Sequence, residues 1–108
     1  MAFSSTLSYV GNVAKVEVKG ELDAGSAQGF RERIEDAAGH NVTKLVILMP
    51  DLTYMASAGL RVLIFAKQKM GPSVDIVLVG VQETVLETLK MTGFHHSVTM
   101  ADSYEGES

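Results

Sequence analysis

The chain has 108 residues, 46% of them hydrophobic and 20% charged, so it is long enough to fold as one domain around its own apolar core. Its net charge of −4, without any basic cluster, argues against nucleic acid as a partner, and the absence of cysteine excludes disulfides and thiolate chemistry. No apolar run approaches the roughly 20 residues of a membrane span, and the N-terminus lacks the pattern of a signal peptide. We therefore expect one cytoplasmic domain over residues 1–108, with no membrane contact and a flexible acidic tail at 101–108.

The first elements are predicted to form a β-hairpin. Gly11-Asn12 separates "LSYV" from "VAKVEVKG" and supplies a two-residue turn that needs positive φ. In the second strand of the hairpin, apolar and charged residues alternate, which predicts one buried and one solvent-exposed face. The buried set is Ala14, Val16 and Val18.

A helix is predicted within "ELDAGSAQGFRERIEDAAGH", where apolar residues recur at helical spacing. Asp23 is the expected N-cap of this helix, and Gly39 is expected just past its end.

The second half of the chain alternates strands and helices. "KLVILM" is a continuous apolar run closed by Pro50, as expected for a strand covered on both faces. "SAGLRVLIFAKQKM" predicts a helix that ends at Gly71, "VDIVLVG" a buried strand, "QETVLETLKMTG" a third helix and "SVTM" a short final strand. The predicted class is α/β: a mixed sheet of four to five strands with three to four packed helices, in the order ββαβαβα(β).

Ser57, at the start of the second predicted helix, admits three interpretations. It is an N-cap, a catalytic nucleophile, or a hydroxyl that accepts phosphate. The nucleophile interpretation is weak because "MASAG" lacks the first glycine of G-x-S-x-G, and no motif ties a histidine to Ser57. The chain has three histidines, and neighbours such as His95 and His96 in an extended segment point to opposite sides, which argues against a shared metal ion. We therefore expect no enzyme activity, no metal and no cofactor.

Three stretches of the chain, in the right order, resemble the STAS domain family of anti-sigma factor antagonists. They are "VKGELDAGSAQGFRERIE", "DLTYMASAGLRVLIFAKQ" and "VLVGVQETVLETLKMTGF". The resemblance implies a STAS-like fold and a partner-switching function. In such a circuit the unphosphorylated domain binds an anti-sigma factor serine kinase and releases the sigma factor. Phosphorylation ends the binding and a PP2C-type phosphatase restores it. By motif match, the phosphorylated residue is Ser57.

The chain departs from the family motif beside Ser57. Ala56 stands where the family usually has an acidic residue, and Ala58 removes a second hydroxyl, so any modification of this motif falls on Ser57. The expected partner surface surrounds this serine and comprises Asp23, Asp51, Tyr54, Met55, Ala56, Ala58, Gly59 and Arg61. Two alternatives stay open: a STAS scaffold or subunit of a transport or signalling complex without phosphorylation, and a hydrolase that uses Ser57. The sequence leaves the oligomeric state open, as a monomer or a weak dimer.

Overall fold

Five strands form one mixed sheet whose spatial order follows their order in the chain. The computed structural model describes residues 2–102. Strand β1 runs antiparallel to β2, and the pairs β2–β3, β3–β4 and β4–β5 are parallel. The elements are β1 (Ser4–Val10), β2 (Val13–Leu22), α1 (Ala27–Ala38), β3 (Lys44–Met55), α2 (Ser57–Met70), β4 (Asp75–Val79), α3 (Glu83–Lys90), a 3₁₀ turn (Phe94–His96) and β5 (Thr99–Ala101). The predicted order and fold class are confirmed.

The hairpin forms where the sequence predicts it. Gly11 has φ of 59°, in the left-handed region that glycine adopts at little cost, and Val10 pairs with Val13 across the turn. Ala14, Val16 and Val18 are fully buried, which confirms the predicted alternation in β2.

The helices pack against one face of the sheet. Sequential strand order with right-handed parallel crossovers places successive helices on the same side. The apolar side chains of α1, α2 and α3 accordingly share one large cluster with Val16, Ile47 and Leu78. A smaller cluster of Val46, Val77 and Val79 lies on the opposite face.

Helix α2 begins and ends at the predicted residues, Ser57 and Met70. Gly71 follows with φ of 77°, a conformation that side-chain-bearing residues rarely adopt, and Pro72 comes next. Lys67 and Lys69 lie in the last turn, where cations favour the negative end of the helix dipole.

The predicted end of the third strand at Pro50 is wrong, because β3 continues to Met55. Between the pairs Glu17–Leu48 and Lys19–Asp51, the register of β2 against β3 shifts. Two residues of β3, Met49 and Pro50, therefore face a single residue of β2, Val18. This arrangement is a β-bulge, where proline is tolerated. Pairing with β4 has already ended at Leu48–Val79, so no ladder hydrogen bond from Pro50 is required on that side.

The predicted acidic tail, 101–108, lies mostly outside the described residues, and its first residue, Ala101, belongs to β5. Among residues 2–102, no helix is long and apolar enough to cross a membrane.

Candidate functional site

Ser57 is the first residue of α2 and is exposed to solvent. Its predicted role as the N-cap is wrong, because Ala56 holds that position in an extended conformation (φ −79°, ψ 168°) and no side chain caps the helix. Ala56 is held there by its N–H, which donates to the Leu22 carbonyl at 2.8 Å. The Ser57 hydroxyl is therefore not committed to capping.

The N-terminus of α2 offers a favourable environment for negative charge. Its first turn contains no acidic residue. The N–H groups of Gly59 and Leu60 donate to the Ala56 carbonyl, whereas in the described part of the chain those of Ser57 and Ala58 have no backbone acceptor. Free N–H groups and the positive end of the helix dipole together stabilise an anion.

Asp23 lies at the same end of the sheet as Ser57. The last paired residues of β2 and β3 are Leu22 and Met55, so the two parallel strands lead directly to Asp23 and Ala56. The prediction that Asp23 is the N-cap of α1 is wrong by position, because Ser26 precedes the helix. Asp23 instead closes the turn before it: its carboxylate accepts the backbone N–H and the hydroxyl of Ser26, both at 2.9 Å.

The other residues of the predicted partner surface divide into accessible and buried groups. Asp51, Tyr54 and Arg61 are exposed, and Ala56 and Ala58 are half-buried. Met55 is only 2% exposed, and Gly59 is buried on the face of α2 that packs against Leu22 and Met55. Met55 and Gly59 are therefore corrected from partner contacts to core residues.

Gly59 is required by close packing. A Cβ built at this position would lie 2.7 Å from both Cγ and Cδ2 of Leu22 and 3.2 Å from Cγ of Met55. The start of α2 therefore approaches the ends of β2 and β3 more closely than a larger residue allows.

Within residues 2–102, no hydrogen bond joins a histidine to Ser57. The Nδ1 of His40 lies 2.9 Å from the Tyr9 hydroxyl. His95 and His96 lie in a 3₁₀ turn and stack with ring centroids 3.8 Å apart, so the expected extended geometry with opposed side chains is wrong. Desolvation lowers the pKa of His95, and the charges of His96 and Lys90 lower it further.

A model of the STAS domain matches residues 6–106. The chain belongs to the STAS domain family. It is 31% identical over 75 residues to the anti-sigma-F factor antagonist RsfB of Mycobacterium tuberculosis; the match spans 69% of this chain but only 62% of that relative.

Solved structures of anti-sigma factor antagonists share the fold at low identity. An anti-sigma factor antagonist from Mycobacterium paratuberculosis superposes with a TM-score of 0.86 at 20% identity, covering 94% of this chain and 87% of the other. The phosphorylated form of SpoIIAA, a Bacillus cell fate determinant, superposes with a TM-score of 0.75 at 17% identity, covering 93% and 92%. The unphosphorylated form of SpoIIAA gives 0.73 at 17% identity, covering 96% and 92%.

Helix α3 of this STAS domain supports the segment that leads to Ser57, a feature that sequence reasoning missed. Beyond Leu48, β3 has no strand partner on the β4 side, so carbonyls on that side need other donors. Side chains from α3 and its N-cap supply them: Gln82 donates to Pro50 O at 2.7 Å, Thr84 to Thr53 O at 3.1 Å and Thr88 to Met55 O at 3.2 Å. The spacing of Thr84 and Thr88 places both hydroxyls on one face of α3, which is the signal that sequence reasoning could have used.

Replacing Thr88 with valine is expected to lower the free energy of unfolding by about 1–2 kcal/mol, because the Met55 carbonyl loses its donor in a part-buried site. Thr84→Val removes the same kind of bond at an exposed position, where water replaces the hydroxyl, so its cost should stay below about 0.5 kcal/mol. Urea denaturation measures both. If hydrogen exchange at the Ala56 amide becomes faster in Thr88→Val but not in Thr84→Val, the bond from α3 to Met55 stabilises the start of α2. Equal exchange rates in the two variants would contradict this.

Asp23 gives the site a defined pH response. Hydrogen bonds from the Ser26 side chain and backbone hold the pKa of the Asp23 carboxyl below its usual value. A carboxyl whose pKa is depressed by folding stabilises the protein above its unfolded pKa, about 3.9, and this contribution is lost as pH falls through the folded pKa.

Below about pH 4, the free energy of unfolding of Asp23→Asn should fall less steeply with decreasing pH than that of the unaltered chain. Asparagine keeps an acceptor for the Ser26 N–H but does not titrate. Urea denaturation of both chains from pH 2 to 7 measures the difference. Parallel pH profiles over the acid range would show that the Ser26 hydrogen bonds do not favour the ionised form of Asp23.

Proposed function

We propose that this STAS domain is an anti-sigma factor antagonist controlled at Ser57. In its unphosphorylated form it binds an anti-sigma factor serine kinase in the cytoplasm and thereby releases a sigma factor. Phosphorylation of Ser57 ends the binding, and a PP2C-type phosphatase reverses it. The observation that carries the proposal is the exposed, uncommitted hydroxyl at the first residue of α2, at the motif position of the family's phosphorylated serine.

The local chemistry supports reversible phosphorylation without unfolding. A phosphoserine brings a charge of about −1.5 to −2, which the free N–H groups and dipole at the start of α2 stabilise. No acidic residue in the first turn repels it. SpoIIAA has been solved in phosphorylated and unphosphorylated forms, and this chain superposes on both to a similar degree, which supports a fold that tolerates the modification.

We therefore infer that phosphorylation ends binding by acting at the surface where the partner docks, and not by unfolding the domain. A partner that covers Ser57 must remove the phosphate from water, and an uncompensated buried charge costs several kcal/mol. Repulsion from any acidic group of the partner adds to this cost.

The test is incubation of the chain with ATP and a candidate anti-sigma factor kinase, followed by peptide mapping with mass spectrometry. One phosphoryl group on Ser57 is expected, absent in Ser57→Ala and present in Ser73→Ala, which removes another exposed hydroxyl. An unmodified Ser57, with a kinase that phosphorylates a known substrate, would favour the scaffold alternative. A PP2C-type phosphatase should remove the group and restore kinase binding.

A further inference from the structure

A small cleft between the first turns of α1 and α2 adjoins Ser57. Its volume is about 240 Å³, below the roughly 300–1,000 Å³ of small-molecule sites, which suits one protein side chain. Ala58 on α2 connects it to the serine. The lining residues are Ala24, Ala27, Gln28, Arg31, Ala58, Arg61 and Val62.

The cleft is locally cationic in a chain of net charge −4. Two of its lining residues are arginines and none is acidic. Two acidic residues adjoin lining residues in sequence: Asp23 directs its carboxylate to Ser26, and Glu32 accepts from Nε2 of Gln28 at 3.5 Å.

The two arginines differ in whether other side chains already hold them. The Arg31 guanidinium lies 3.9 Å from the centre of the Phe65 ring on α2, and its Nε lies 3.4 Å from Oε2 of Glu35 on α1, so groups on both helices hold it in place. Arg61 is exposed, and within residues 2–102 no carboxylate lies within ion-pair distance of it. Arg61 is thus free to pair with an incoming group.

Arg61 also lies on the same helix face as Ser57. Residues at i and i+4 are neighbours on a helix surface, and the side of α2 that lines the cleft carries Ala58, Arg61 and Val62. Successive residues are about 100° apart around the helix axis. Viewed down that axis, Arg61 therefore lies between Ser57 and the middle of the side of α2 that lines the cleft. A phosphate on Ser57 and a ligand in the cleft therefore compete for one guanidinium.

We propose that this cleft receives an acidic side chain of the kinase partner, with Arg61 as its main anchor, and that phosphorylated Ser57 withdraws Arg61 from it. This inference rests on the proposed function and adds the chemistry of the partner and the residue through which the switch acts. Arginine suits both interactions because its planar fork pairs with carboxylate and with phosphate.

The first experiment measures affinity for the kinase that phosphorylates Ser57. Arg61→Glu should weaken binding at least 30-fold, roughly the effect of placing an unpaired like charge in an interface. Arg33→Glu makes the same change at an exposed α1 position outside the cleft and should stay within about threefold. Arg61→Gln should also flatten the salt dependence of binding, because it removes the charge that is screened.

The second experiment needs no kinase. Phosphoserine is introduced at position 57 during translation, and its second ionisation, near pH 6, is followed by ³¹P NMR. The midpoint should lie about 0.3 units or more lower in the otherwise unaltered chain than in the Arg61→Gln background, with Arg33→Gln as the control.

The outcomes separate the two proposals. A kinase that binds Arg61→Glu as tightly as the unaltered chain would overturn the cleft as the docking site and leave the proposed function standing. Equal ³¹P midpoints would overturn the withdrawal of Arg61. A chain that binds and is modified by no anti-sigma factor kinase would overturn the proposed function itself, and the docking inference with it.

Discussion

Replacing Gly59 with alanine is expected to destabilise the protein, although alanine is the better helix former. The new Cβ would meet Cγ and Cδ2 of Leu22 at 2.7 Å, and Leu22 is fully buried and cannot move aside freely. Overpacking of this kind typically costs 1–3 kcal/mol, which exceeds the gain in helix propensity of at most about 1 kcal/mol. A decrease in melting temperature of roughly 5–15 °C should follow, measured by calorimetry or circular dichroism.

The same substitution at Gly29 is the matched control. Gly29 lies inside α1, and a Cβ built there has no heavy atom within 4 Å apart from its chain neighbours and the backbone of its own helix. Gly29→Ala should therefore stabilise the protein by about 0.5–1 kcal/mol through helix propensity and a less flexible unfolded chain. If the Gly59 variant were also stabilised, the close contact between α2 and Leu22 would not constrain this position.

Local signals predicted most of the architecture because neighbouring residues determined it. The apolar sequence of α2 predicts where the helix begins, and Gly71, which has a positive φ, marks where it ends. The hairpin at Gly11 and the alternation in β2 likewise depend on residues close in sequence.

Long-range pairing determined what the sequence did not reveal. The extension of β3 beyond Pro50 depends on its bulged register with β2, and the position of Ala56 depends on a hydrogen bond to Leu22, 34 residues earlier. That register also turns Met55 into the core, away from the surface on which the motif alone had placed it.

At the site, the motif located the serine and several of its neighbours, but not the hydrogen bonds and the cleft that surround them. The spacing of Thr84 and Thr88 indicates that they share a face of α3, but only the tertiary structure shows that this face takes the place of a missing strand beside β3. The cleft beside Arg61 likewise needs α1 and α2 to be packed side by side before it exists.

The largest effect on function is expected from Ser57→Asp, which should leave the fold intact while removing the affinity for the kinase. A carboxylate at the first residue of α2 meets free N–H groups and the helix dipole, which stabilise the protein by about 0.3–1 kcal/mol. Thermal melts should therefore match those of the unaltered chain or shift slightly upward.

Binding should respond in the opposite direction, because the docked kinase would bury the new charge and because a carboxylate at position 57 would compete with the partner for Arg61. A cost of about 3 kcal/mol corresponds to a loss of affinity of at least about 100-fold, measurable by calorimetric titration against the kinase. Ser57→Ala should bind like the unaltered chain but lose its sensitivity to ATP, and Ser73→Asp should change neither property because it places the same charge at another exposed position. A strongly destabilised Ser57→Asp would mean that the charge acts through the core, and an undiminished affinity would mean that the partner docks elsewhere. Only stable folding combined with lost binding fits a switch that operates at the surface of α2.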